Sequence, residues 1–73
     1  MEIATNADVA GLVRAIAARN RTTQQQLASV LNLSEMAISR RINGSTPFSP
    51  AELIRLSRHF NVPAAYFFGE VAA

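Results

Sequence analysis

The amino-acid sequence predicts a small all-α domain built from five short helices. Apolar residues recur at helical spacing along most of the chain, and no stretch alternates polar and apolar residues as a half-buried strand does. Residues that cap or end helices stand between these segments. The 73 residues contain no internal repeat, low-complexity tract or linker. A single domain over residues 1–73 with a thin hydrophobic core is therefore expected.

The first helix is expected over about residues 7–19, with Asn6 or Asp8 as its N-cap. Asn20 and Arg21 interrupt the apolar pattern and end it. The residues that would form its buried face follow the i, i+3, i+4, i+7 rule: Val9, Leu12, Val13, Ile16 and Ala17.

The second helix begins with a capping box. The Thr23 hydroxyl would accept from the amide of Gln26, and the Gln26 side chain would reach back to Thr23. The helix runs to about Leu31, with Leu27 and Val30 as further apolar contacts. It is too short to be stable in isolation, so it depends on packing.

The third helix is expected over about residues 35–43, with Ser34 as its N-cap. Asn32 tolerates the left-handed backbone that a tight turn before this helix requires. Asn43 and Gly44 end it, because glycine is preferred just past a helix.

The fourth helix has the clearest start in the chain: Ser49 caps it, Pro50 takes the first helical position and Glu52 completes a capping box. Asn61 closes it, and a last short helix over residues 64–68 follows Val62 and Pro63 and stops at Gly69. The face of the fourth helix predicted to be apolar consists of Leu53, Ile54, Leu56, Ser57 and Phe60. The aromatic cluster predicted to lie mostly in the core consists of Tyr66, Phe67 and Phe68.

Composition excludes several classes of protein. The chain has no Cys, one His and five carboxylates, so it lacks disulfides and thiolate metal sites and has little material for catalysis. We expect no enzymatic activity, metal or cofactor. No apolar run reaches the roughly 18 residues of a membrane helix. The N-terminus also lacks the features of a signal peptide, so a cytoplasmic protein is expected.

The positive charge is concentrated in one part of the chain. Net charge is only +2, but all seven basic residues are arginine. They lie between Arg14 and Arg58, where Glu35 and Glu52 are the only carboxylates, so this stretch carries about +5. Such a concentration of positive charge favours binding to a polyanion, although a solvated arginine surface gives the same composition.

The second and third helices, joined by a turn of three or four residues, have the layout of a DNA-binding helix-turn-helix over about residues 23–43. Gln24 opens the second helix, and the small residue Ala28 follows four positions later. Further residues of the pattern are Gln25, Gln26, Leu27, Leu31, Leu33, Ile38, Ser39, Arg40, Asn43, Gly44, Ser49, Pro50, Val62 and Pro63. In these residues the chain resembles the lambda-repressor-like (Cro/cI, XRE) family over about residues 7–69. The resemblance implies that the two helices cross closely at Ala28, where members of the family carry a small residue.

The resemblance implies a role for each matching position, with the third helix in the major groove. Arg40 would bind a guanine edge, Met36 would touch a thymine methyl and Glu35 would accept from a cytosine amino group. The implied base contacts are Ser34, Glu35, Met36, Ser39 and Arg40. The implied phosphate contacts are Gln24, Arg41, Asn43, Ser45 and Thr46, with Arg14, Arg19 and Arg21 as further candidates. Each is also compatible with a solvated surface position, and Glu35 suits any helix start.

Two positions depart from the family pattern. Asn32 stands where the turn usually has glycine. Arg41 stands where an apolar residue is usual, with Ile42 next to it. Either Ile42 takes the core role and frees Arg41 for phosphate, or Arg41 buries its aliphatic stem and extends its charge to solvent.

The leading hypothesis is a sequence-specific transcriptional regulator that binds double-stranded DNA, a repressor of bacterial or phage type acting by operator occupancy. The alternative is a protein-interaction module on the same fold, of antitoxin or adaptor type, that docks through residues 66–73. The sequence leaves the oligomeric state open: the C-terminal segment could supply a homodimer contact, or the chain could be the DNA-binding part of a longer repressor whose second domain is missing. A cytoplasmic location in a bacterial cell or a phage-infected host fits these hypotheses.

Overall fold

Four α-helices and one short 3₁₀ helix follow one another along residues 5–68, the part of the chain that the computed structural model describes. Within this part there is no strand, which confirms the all-α prediction. The predicted count of five helices is not confirmed, because the last element is a short 3₁₀ helix. The elements are α1 Asn6–Arg19, α2 Gln24–Leu31, α3 Glu35–Ile42, α4 Pro50–Phe60 and the 3₁₀ helix Ala64–Phe68.

The N-cap of α1 is Thr5, so the prediction of Asn6 or Asp8 is wrong. The Thr5 hydroxyl accepts from the Asp8 amide at 3.1 Å, and the Asp8 carboxylate accepts from the Thr5 amide at 3.1 Å. Asp8 is thus the third residue of a capping box, and Asn6 is already helical. In the sequence, this capping box is indicated by Thr5 and Asp8 standing three residues apart.

The other predicted helix starts are confirmed. Thr23 and Gln26 form the capping box of α2, with reciprocal hydrogen bonds of 2.7 and 3.1 Å. The Ser34 hydroxyl accepts from the amide of Ala37 at 3.1 Å and caps α3. Ser49 caps α4 as predicted, with Pro50 as the first helical residue.

Residues with a positive φ lie at or just past the ends of α2, α3 and α4. Asn32 and Asn61 both have φ of 57° at the ends of α2 and α4, and Gly44 has φ of +86°. Helix α3 ends at Ile42, one residue before the predicted end, and Asn43 is its C-cap. Arg21 also has a positive φ of 53°, which its residue type does not predict.

The core lies where the four helices and the 3₁₀ helix meet. In α4 the covered residues are Leu53, Leu56, Ser57 and Phe60, which follow the i, i+3, i+4, i+7 rule. Ile54 falls outside this pattern and is 44% exposed, so its predicted place on the buried face is wrong. The buried apolar residues are Ala10, Val13, Ile16, Ala17, Leu27, Ala28, Leu31, Ile38, Phe48, Leu53, Leu56 and Phe67.

The last element is a 3₁₀ helix because it is only five residues long and follows a proline. The carbonyl of Pro63 accepts from the amide of Tyr66 at 3.0 Å, an i to i+3 bond. This turn places Phe67 fully inside the core and leaves Tyr66 half-buried. The Phe68 side chain and Gly69, predicted as the helix stop, lie outside the described residues.

None of the helices in residues 5–68 combines the length and the apolar character needed to cross a membrane.

Candidate nucleic-acid interface

Helices α2 and α3 form a helix-turn-helix, in which α2 ends at the predicted Leu31 and α3 ends one residue before the predicted Asn43. Residues 32–34 connect them, and the amide of Leu33 donates to the carbonyl of Ala28 at 2.8 Å, which closes the turn. Ala28 is buried and belongs to the same core cluster as Ile38 of α3. A small residue at position 28 therefore fits a close approach of the two helices, as the family resemblance implies.

Helix α3 has one buried face and one exposed face. Ile38 is completely buried and anchors the helix to the core, whereas Met36 is 66% exposed despite its apolar side chain. The five residues predicted to contact bases are all exposed: Ser34, Glu35, Met36, Ser39 and Arg40. In a helix, side chains three and four residues apart lie on the same side, so Glu35, Met36, Ser39 and Arg40 form one surface.

Two of these exposed side chains touch each other. An Nη2 atom of Arg40 lies 3.5 Å from the Sδ atom of Met36, one turn earlier in α3. A thioether is a weak acceptor and carries no charge, so it orients the guanidinium without neutralising it. Arg40 forms no salt bridge with any carboxylate of residues 5–68. Its donors remain available for an external acceptor.

The residues after α3 fold back onto the end of that helix. The amides of Ser45 and Thr46 both donate to the carbonyl of Arg40, at 3.0 and 3.2 Å. The Oδ1 atom of Asn43 accepts from the Ser45 amide at 2.9 Å. Three side chains predicted to bind phosphate are thus held at the C-terminal end of α3, with the Ser45 and Thr46 hydroxyls and the Asn43 amide group as possible donors.

Gln24 occupies a different position, as the exposed first residue of α2. The amide of Gln26 is already bound by the Thr23 hydroxyl. The amides of Gln24 and Gln25, by contrast, precede any possible intrahelical acceptor. These two amides and the Gln24 side chain form a donor group at the positive end of the helix dipole.

The further arginine candidates have different surroundings. Arg14 of α1 donates to the carbonyl of Ile42, the last residue of α3. Arg19 donates to the Tyr66 hydroxyl, and its guanidinium carbon lies 5.9 Å from the centre of that ring. Arg21 is exposed in the connection between α1 and α2. A phosphate role for these three residues stays a prediction, and two of them already have partners within the protein.

Arg41 has protein partners on two sides. Its Nε atom is 2.9 Å from the Oε1 atom of Glu52, and its Nη1 atom donates to the carbonyl of Ala37 at 3.2 Å. Ile42 is half-buried against the core, so it takes the core role that one of the two sequence interpretations assigned to it. Sequence reasoning identified Glu52 only as a capping residue and missed its ion pair with Arg41.

The alternative docking segment, residues 66–73, is only partly described. Phe67 is buried in the core, and the Tyr66 hydroxyl accepts from Arg19. Residues 69–73 lie outside the described residues. In residues 66 and 67, the apolar surface is therefore used mainly within the fold.

A shallow groove of about 300 Å³ in the described residues is lined in part by α2 of the helix-turn-helix. Arg21, Ser29 and His59 are among its lining residues, and it shares none with the exposed face of α3. Among residues 5–68 no three His, Asp or Glu side chains are grouped as a metal site would require.

The fold and this exposed helix define a helix-turn-helix domain of the DNA-binding type. A family model described as helix-turn-helix matches residues 13–67, which is most of the chain. The chain therefore belongs to the lambda-repressor-like (XRE) helix-turn-helix family of DNA-binding transcription regulators. No curated protein and no solved structure matches it significantly.

Proposed function

We propose that this protein is a sequence-specific transcriptional repressor that binds double-stranded DNA with α3 in the major groove and acts by operator occupancy. The observation that carries the proposal is the division of α3 into a buried anchor, Ile38, and an exposed face of polar residues and one methionine. An eight-residue helix with this division fits the groove, which admits one α-helix.

The exposed face supplies the chemistry for reading bases. Arg40 offers a fork of donors that matches the O6 and N7 atoms of guanine. Met36 offers an apolar surface for a thymine methyl, and Glu35 an acceptor for a cytosine amino group. The hydroxyls of Ser34 and Ser39 can bond either donors or acceptors on base edges.

Phosphate contacts at both ends of the motif would set the register of α3. The donor group at the start of α2, which includes Gln24, suits a phosphate. The side chains of Asn43, Ser45 and Thr46 suit a second phosphate at the far end of α3. These contacts add affinity for any sequence, whereas the α3 face selects among sequences.

In the proposed mechanism the bound protein denies RNA polymerase its promoter and performs no reaction, so it requires neither cofactor nor metal. It acts in the cytoplasm of a bacterial cell or of a phage-infected host. A palindromic operator has half-sites about one helical turn apart, and two copies of the domain would occupy it. The copies would associate as a homodimer or through a second domain of a longer protein.

Selection of DNA from a random pool tests the proposal. We expect the protein to enrich a short motif in double-stranded DNA, and a palindromic motif would indicate two bound copies. Affinity for the enriched duplex should fall steeply as salt rises, because phosphate contacts release counterions. A protein-interaction module would enrich no motif and would bind DNA weakly at every salt concentration.

Gln24→Ala is expected to weaken binding to the selected duplex and to a shuffled duplex by the same factor. The side chain and its helix end would bind phosphate, which carries no sequence information. A loss of about 1 kcal/mol, or roughly fivefold in Kd, is the typical net contribution of one hydrogen bond. Fluorescence anisotropy with both duplexes measures it.

Gln25→Ala is the matched control. Gln25 is also exposed in the first turn of α2, but the family resemblance implies no phosphate contact for it. Its effect should be clearly smaller. A Gln24→Ala variant that lost affinity for the selected duplex alone would place Gln24 among the base contacts instead.

A further inference from the structure

We propose that Arg41 acts in DNA binding as a positioning residue: with Glu52 it forms an ion pair, here named the Arg41–Glu52 clamp, that fixes the recognition helix α3 to the start of α4. This inference rests on the proposed function, because it concerns the orientation of the helix that reads DNA. It differs from the phosphate contact that the family resemblance implies for Arg41.

The clamp is a directed contact that is largely covered from solvent. The Nε atom of Arg41 donates to the Oε1 atom of Glu52 at 2.9 Å, and the two side chains are only 19% and 14% exposed. A second guanidinium nitrogen, Nη1, donates to the carbonyl of Ala37 at 3.2 Å. The planar guanidinium is thus held by two acceptors from the protein itself.

Glu52 is a rigid partner because the capping box of α4 already holds its carboxylate. The same Oε1 atom accepts from the Ser49 amide at 2.9 Å, and the Ser49 hydroxyl accepts from the Glu52 amide at 3.2 Å. The next residue, Leu53, is buried in the core. Arg41 therefore ties α3 to an element that core packing holds in place.

Helix α3 needs this additional contact because few of its residues pack in the core. Among its eight residues only Ile38 is fully buried, and Ile42 packs partly exposed against the core, so core packing holds α3 at two positions one turn apart. The clamp adds an attachment on the side of α4, and the bond from Arg14 to the Ile42 carbonyl adds one on the side of α1. Contacts to base edges demand a helix placed to within about 0.5 Å, so loosening α3 should reduce specific binding.

The two roles for Arg41 give opposite expectations for Glu52→Gln. If Arg41 binds phosphate directly, loss of a negative charge beside it strengthens attraction to DNA. If the clamp positions α3, the same substitution weakens specific binding although the protein becomes more positive. Glutamine also serves in a capping box, so the start of α4 is kept.

Arg41→Lys separates the roles in a second way. Lysine keeps the charge that a phosphate contact needs but lacks the fork that joins Glu52 and the Ala37 carbonyl. A direct phosphate contact would therefore survive this substitution, whereas the clamp would not.

The experiment measures binding of the full chain to the duplex selected from a random pool and to a shuffled duplex of the same length. We expect Arg41→Lys and Glu52→Gln each to raise Kd for the selected duplex by roughly fivefold, as loss of one coupled pair does. Binding to the shuffled duplex should change little. Combining the two substitutions should cost no more than either alone. Arg55→Gln is the control for net charge. It removes the charge of an exposed arginine of α4, so its Kd for each duplex shows how much one charge alone changes binding.

A Glu52→Gln variant that binds DNA more tightly, or an Arg41→Lys variant that matches the wild type, would overturn the clamp. If the wild type itself shows no preference for the selected duplex, the proposed function fails instead, so the two failures are distinguishable.

A measurement on the wild-type protein without DNA tests the clamp even if a variant does not fold. In NMR spectra of the wild-type protein, the Arg41 Nε–H proton should exchange with water at least tenfold more slowly than that of Arg55, since it donates to a covered carboxylate. Equal exchange of the two protons would show that the clamp is not formed in solution and would overturn the proposal.

Discussion

Arg40→Ala is expected to weaken binding to the selected DNA site by about 1–3 kcal/mol and to abolish base preference at one position. Arg40 is exposed on α3 and forms no salt bridge with the described carboxylates, so its donors are available to a guanine. Its neighbour Met36 orients it from one turn away. Measuring Kd for duplexes carrying each of the four base pairs at every position of the site locates the change.

Arg40→Lys is the companion variant, because it keeps the charge and loses the bidentate fork. We expect it to retain binding to shuffled DNA while it loses most of the discrimination at the same base pair. If Arg40→Ala weakened all duplexes equally and left every base preference intact, Arg40 would be a phosphate contact, and the assignment of the reading residue would be wrong.

Phe67→Ala is expected to have the largest effect on stability, a loss of about 3–5 kcal/mol in the free energy of unfolding. Phe67 is completely buried and is among the largest buried side chains of the described residues. A core this small rarely supplies more than about 3–5 kcal/mol of net stability. The variant should therefore be largely unfolded at 25 °C, as urea denaturation followed by circular dichroism would show.

Tyr66→Phe provides the comparison within the same 3₁₀ turn. It removes the hydroxyl that accepts from Arg19 and leaves the ring, so about 1 kcal/mol or less should be lost. A Phe67→Ala variant as stable as Tyr66→Phe would mean that the 3₁₀ helix is not part of the cooperative core.

Local signals predicted most of the fold. Thr23, Ser34 and Ser49 cap their helices as expected, since a capping interaction spans only three residues and is visible in the sequence. Asn32 takes the left-handed conformation that the turn needs. The Thr5 cap was missed although its partner Asp8 also lies three residues away, because two other polar residues competed for the position.

Features set by tertiary packing could not be read in the same way. The five residues after Pro63 have helical composition, yet their short length and the insertion of Phe67 favour a 3₁₀ turn. Arg21 adopts a left-handed backbone in the connection from α1 to α2, which its residue type does not favour.

The candidate site likewise contains residues that could be predicted from the sequence and a contact that could not. The family resemblance implied Ser34, Glu35, Met36, Ser39 and Arg40 as base contacts, and all five are exposed. The partners of Arg41 could not be predicted, because Glu52 is eleven residues away on another helix and had a complete local explanation as a capping residue. Pairing across elements depends on how α3 and α4 pack, which no local pattern encodes.

The central claim, that α3 reads base edges in the major groove, is tested most directly by replacing single base atoms in the selected duplex. 7-Deazaguanine removes the N7 acceptor from the major groove, whereas inosine in place of guanosine removes the amino group from the minor groove. We predict that 7-deazaguanine at one position weakens binding of the wild type but not of Arg40→Ala, and that inosine changes neither. Sensitivity to inosine alone, or equal sensitivity of both proteins to 7-deazaguanine, would contradict the claim.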